Sequence, residues 1–192
     1  AAATTLSVGA SSYTFSGDIA ANTMVFAVTG FAADVAGFVS LSGNFGFSKS
    51  AGDLVAVGSS VNASLSAGSA AYAKLNNASF GLRSGVGKTA FELKNGTFEA
   101  AISGMASLSA SSVLVQYTSG VGNTVAADTT LSVGGISYAF SGALAANTMV
   151  FAVTGFAAEV ANFVSLSGNF GFSKSGTDLV AVGSSVSASL SV

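Results

Sequence analysis

The chain has 192 residues, among them no His, Cys, Trp or Pro, and only 7% are charged while 50% are hydrophobic. Without His or Cys there is no Ser-His-Asp triad, no thiolate nucleophile, no disulfide and no Cys-based zinc site. A formal net charge of −2, from six basic and eight acidic residues, leaves no basic stripe for nucleic acid, and the apolar content excludes a disordered chain.

Taken in chain order, the elements read as strands. MVFAVTGF (24–31) does not alternate cleanly and predicts a strand buried on both faces. FAADVAGF (31–38) fits either a single helical turn or a bulged strand. The window 20–39 is the best candidate for a membrane helix, but Asn22, Thr23, Thr29, Gly30 and Asp34 argue against it, because an Asp near the centre is costly there. In 39–47, Val39, Leu41, Gly43, Phe45 and Phe47 alternate with Ser40, Ser42, Asn44 and Gly46. In 55–65, Val55, Val57, Val61, Ala63 and Leu65 form the odd set. A period of two places each set on one sheet face.

SKSAGD (48–53), LRSGVGK (82–88) and SKSGTD (173–178) read as turns. Asn95-Gly96, inside ELKNGTFE (92–99), is a strong hairpin signal, since both central residues of a type I′ turn need φ > 0. The alternation slips near 71–82 and near 108–113, which predicts bulges. Runs of this length correspond to strands roughly 40 Å long, joined as an antiparallel meander.

The chain also carries a duplication. Residues 4–66 recur at 129–191 without a gap, at an offset of 125, and differ at 10 of 63 aligned positions. Such self-similarity marks repeat architecture. It divides the chain into a first copy (1–66), a diverged half-repeat (67–128) and a second copy (129–192). The second copy stops about halfway through the period, so the expectation is a window onto a longer array.

Candidate sites are few. GLRSGVGKT (81–89) has Leu82 where a phosphate-binding loop needs its first Gly, and it reads as a hairpin turn. Glu92 and Glu99 flank Asn95-Gly96 and are expected to face each other across a solvated hairpin, although paired carboxylates also serve glycosidases. The acidic residues are scattered singly, whereas calcium wants several carboxylates together; a turn residue such as Asp53 or Asp178 would be the most plausible holder. Lys49 and Lys174 recur beside equivalent turns as solvated charges. Asn62, Asn77 and Asn95 open three-residue glycosylation matches. A closed membrane barrel would need an aromatic girdle and a fixed strand count, which an open repeat array does not supply.

The run FVSLSGNFGFSKS, continued as DLVAVGSSV and followed by AYAKLNNASFGLRSGVGKTAFELKNGTFEAAISGMASLSA, resembles the repeats of giant bacterial surface and adhesin-like proteins, some of which bear an N-terminal LEPR-XLL motif. The resemblance covers most of the chain and rests on repeat style. It implies an exported, extracellular, non-enzymatic protein.

The expected fold is therefore all-β: an elongated tandem-repeat architecture of long antiparallel strands, arranged as stacked sheets or a β-solenoid. The expected role is a structural module of an extracellular fibre or giant adhesin, without catalysis, cofactor or metal. Its partners would be neighbouring repeats or further copies of itself, and not nucleic acid. The alternative is a glycan- or surface-binding adhesin domain. Packing and assembly are assigned to Phe26, Phe31, Phe38, Val39, Leu41, Phe45, Phe47, Val55 and Val57 in the first copy. In the second copy they fall to Phe151, Phe156, Phe163, Phe170 and Phe172. Low charge and absent Pro leave strand edges unguarded, close to the signature of cohesive β segments.

Overall fold

A computed structural model describes residues 5–14 and 21–191. Among these residues there is no helix, hence none able to cross a membrane; residue 20 of the window 20–39 lies outside them. The strands are β1 (Thr5–Val8), β2 (Ser11–Thr14), β3 (Thr23–Val35), β4 (Val39–Ser50), β5 (Asp53–Ala67), β6 (Ala71–Gly85), β7 (Lys88–Ile102), β8 (Ala106–Ser119), β9 (Thr130–Val133), β10 (Ile136–Ala139), β11 (Thr148–Val160), β12 (Val164–Ser175) and β13 (Asp178–Leu190). Nine of them form one antiparallel sheet in the order β13-β12-β11-β8-β7-β6-β5-β4-β3, and β1-β2 and β9-β10 form two small hairpins. The sheet is open, with β3 and β13 at its edges.

Long strands follow from a two-residue periodicity that bulges shift in phase without ending the strand, and from the absence of Pro, which would remove a ladder donor. The turns at 51–52, 86–87 and 176–177 fall inside the predicted turn sequences. The hairpin expected at Asn95-Gly96 does not form. Asn95 lies inside β7 with φ of 64°, and β7 pairs with β6 and β8 on both sides of it. Some bulges take the same positive φ as a tight turn, and here a bulge takes the residue.

That bulge belongs to a row. Gly30, Ser60, Asn77, Asn95, Gly155 and Ser185 all have φ between 50° and 67°, and they fall at or beside the register irregularities of β3, β5, β6, β7, β11 and β13. The 31–38 stretch thus resolves as the end of a bulged strand, followed by a turn at 36–38. The slip expected near 71–82 is the Asn77 bulge, and that near 108–113 is the irregularity where Gly96 and Phe98 pair with Val113 and Ala110.

The bulges also correct the reading of 55–65. Each extra residue exchanges the two faces of a strand, so Val55 and Val57 lie on one face while Val61 packs against Phe45 on the other. β4 keeps its alternation throughout, as expected.

The strand between 24 and 31 is not buried on both faces. β3 is a sheet edge, and Met24 is 67% and Phe26 57% exposed. In the second copy β11 lies inside the sheet, yet Met149 and Phe151 remain exposed. An apolar run without alternation therefore marks here a bulge and an open face.

Between β8 and β11 the chain makes an excursion, residues 120–147, that lays the β9-β10 hairpin over one face of the sheet. Val57, Ala90, Val125, Leu131, Val133, Ile136, Tyr138, Phe140 and Leu144 form the core between them. Register defines the seat: Ala27, Gly46, Val57, Gly81, Glu92 and Gln116 are successive cross-strand partners from β3 to β8, a span of about 24 Å at ordinary strand spacing. Two glycines make the seat close. A Cβ on Gly46 would come within 2.8 Å of the Val133 Cβ, and one on Gly81 would overlap the Tyr138 ring. The excursion is pinned at its base, where the Asn123 side-chain amide donates to the Thr89 and Ser119 carbonyls, both at 2.8 Å. The buried Thr118 hydroxyl donates to the Ala145 carbonyl and accepts from the Thr148 amide at 3.0 Å.

Candidate functional site

The most constrained chemical group is Glu92, fully buried at 0% exposure. β7 directs it to the hairpin face, between Gly81 on β6 and Gln116 on β8. Its Oε1 accepts from the Tyr138 hydroxyl at 2.6 Å and from the Ser141 amide at 2.8 Å. Its Oε2 accepts from the Ser141 hydroxyl at 2.7 Å and from the Gln116 amide at 2.6 Å. Lys94 Nζ lies 3.6 Å from Oε1, sits over the Tyr138 ring and donates to the Ala139 carbonyl.

Burial alone pushes the Glu92 carboxyl up. The bonds from Tyr138, Gln116 and Ser141 together outweigh it and hold the group below its ordinary value of 4.5. Tyr138 is pushed strongly upward by burial, then by its bond to the carboxylate and by that charge. A carboxylate offers about four lone-pair directions, and four donors fill them. The arrangement is a clasp: one of the four bonds comes from the hairpin, two from Ser141 just beyond it in the excursion, and one from the sheet.

Glu99 does not join Glu92. It pairs instead with Lys74 across the β6-β7 ladder at 3.8 Å, both half-exposed. The expected solvated carboxylate pair is thus corrected: the bulge at Asn95 lies between the two residues, and the hairpin closes over Glu92 alone. Residues 81–89 form the β6-β7 turn region. Asp53 and Asp178 each begin a strand, and among the described residues no three acidic groups cluster as a cation site would require. Lys49 and Lys174 are exposed beside their turns. The Asn62 side chain is engaged within the sheet, donating to Ser42 and to the Ser60 carbonyl and accepting from the Asn77 amide.

The face opposite the hairpin is apolar and open. Val28, Phe45, Gly58, Phe80, Leu93, Val115, Phe151, Phe172 and Ala181 are successive partners across all nine strands. Phe26 and Phe47 stack beside this row at 6.3 Å, and Phe31 meets Phe45 edge-on at 5.8 Å, as Phe156 meets Phe170 at 5.6 Å. Val39 and Leu41 share the face by alternation along β4. Of the residues assigned to packing, Phe45 and Val57 are buried, and Phe26, Phe47, Phe151 and Phe172 are exposed. Phe38 and Phe163 stand exposed at the turns after β3 and β11. Val55 and Val57 are the two that lie beneath the hairpin.

Tyr138, Ser141 and Gln116 are not singled out in the sequence, and Lys94 enters there only as a neighbour of Glu92 within ELKNGTFE. One signal was present: LSVGGISYAF (131–140) alternates about a Gly-Gly pair, and Glu92 is a lone acid at an inward-phased position. No family model, curated protein or solved structure matches this chain.

Proposed function

We propose that the chain is a structural repeat module of an extracellular bacterial fibre or giant adhesin, cohering through sheet edges and apolar faces. One observation carries this reading. The sheet is open at both edges, and the same three-strand sequence enters it twice in one register: Phe26↔Phe47 and Gly46↔Val57 recur as Phe151↔Phe172 and Gly171↔Val182. A sheet built so is extended by adding strands of the same kind, as in quasi-one-dimensional repeat proteins. The aromatic row is itself uncharged, which supports cohesion, while alternation places Lys49 and Lys174 on the same face at its margin. Export and placement at the cell surface rest on the resemblance of the repeats.

Negative-stain microscopy of the purified protein tests the proposal. Elongated or laterally associated particles are expected; compact monomers at all concentrations overturn it. The glycan-binding alternative draws on the Ser and Asn ranks of the hairpin-side face beyond the bulges. There, however, the Ser40 and Ser64 hydroxyls bond each other at 2.7 Å, which leaves fewer donors for a sugar. Glycan-array binding by the isolated chain would favour that alternative.

A further inference from the structure

We infer that the hairpin-side face of β11, β12 and β13, with the outer edge of β13, is a docking surface for another copy of this sequence's own β6–β10 unit: a strand placed as β6 along the edge and a hairpin placed as β9-β10 across the face. This rests on the repeat reading above. The structure contains the occupied form of the same surface. Ala27, Gly46 and Val57 lie under the hairpin, with β6 paired along β5. Ala152, Gly171 and Val182 are the same residues 125 positions on, in the same register, and among the described residues no other element lies over them. Val57 is 0% exposed and Val182 is 64% exposed. All thirteen residues of β13 are exposed, whereas ten of the fifteen residues of β5 are buried or part-buried.

The chemistry of the surface names the occupant. Gly171 keeps the space that Gly46 gives to Val133, so the seat accepts a β-branched side chain on a short hairpin. β13 has no Pro, and among its residues the only charge is Asp178 at its first position, so its outer ladder is unprotected against pairing. The segment that satisfies both demands in this chain is the strand at 71–85 together with the hairpin at 130–139.

The test extends the full chain by one further period, appending a second copy of residues 67–191 after residue 191. Amides of β13 are expected to exchange at least about 100-fold more slowly in the extended chain than in the present one. Val182→Asp serves as the second measurement. It is expected to be tolerated in the present chain and to restore fast β13 exchange in the extended one, whereas Val57→Asp perturbs both. Unchanged β13 exchange in an extended chain that still forms longer particles overturns this inference and leaves the fibre reading standing. Compact particles with β13 protected overturn the fibre reading and uphold the docking surface. Val182→Asp without effect in the extended chain also overturns the inference.

Discussion

Tyr138→Phe isolates the clasp. The substitution removes one hydroxyl that donates at 2.6 Å to a fully buried carboxylate. It keeps the ring over Gly81 and its edge-on contact with Phe140, 5.5 Å between centroids. A hydrogen bond to a charged group contributes about 1.5–3 kcal/mol. Because three donors and Lys94 remain around Glu92, the expected loss is about 2 kcal/mol, roughly a 30-fold fall in the folded-to-unfolded ratio. The foremost of the bonds that hold the carboxyl low is the one deleted, so Glu92 should titrate higher in the variant. Urea unfolding followed by far-ultraviolet circular dichroism measures the first effect, and carbon-detected NMR titration of the Glu92 carboxyl measures the second. In a double-mutant cycle with Glu92→Gln the two changes should be strongly non-additive. A loss below about 0.5 kcal/mol, the level of ordinary surface changes, together with an unmoved Glu92 titration, would refute the clasp as a source of stability.

Four further predictions follow from the same geometry. The folded protein holds Glu92 below its unfolded value of 4.5, so the native state binds fewer protons there; stability should be constant above about pH 5 and decline as pH falls through and below that value. Glu92→Gln should flatten that slope, and an unchanged slope in urea titrations would contradict the assignment. Tyr138 has the opposite sense: its raised value means that its contribution is lost as pH rises beyond the ordinary tyrosine value of 10.0. Val57→Ala should cost about 2 kcal/mol from lost burial and the cavity left behind, whereas Val182→Ala in the same sequence context should cost under about 0.5 kcal/mol; equal costs by denaturant unfolding would show that the hairpin does not cover Val57. Gly81→Ala should destabilise by about 1–3 kcal/mol through collision with the Tyr138 ring, with the loss recovered in part by Tyr138→Ala.

Local period and turn chemistry made much of the sheet legible. The alternation at 39–47 and the turns at 48–53, 82–88 and 173–178 depend on near neighbours only, and they stand in the structure as read. Asn95-Gly96 was misread because positive φ serves a bulge as well as a turn, and only the pairing of β7 on both sides decides between them. The phase of Val61 relative to Val57 was misread for the same reason, since Ser60 carries no sequence mark of a left-handed backbone. The clasp was not legible because its members come from β7, β8 and the excursion, up to 49 residues apart, and meet only where the excursion crosses the sheet. Duplication was plain from the residues, yet identity could not reveal that Val57 and Val182 would have opposite environments.

The direction in which the β9-β10 hairpin runs has a mechanical meaning. A sheet pulled sideways parts one ladder at a time, each strand peeling from the next with few bonds loaded at once. The hairpin lies across that path, seated on β3 to β6 and locked to β7 through Tyr138 and Glu92, and Ser141 just beyond it reaches Gln116 on β8. Tension along the sheet must therefore shear a packed core and a buried charged bond before any of those ladders can open. The excursion acts as a cross-tie, turning six strands that would unzip in series into one block that yields together.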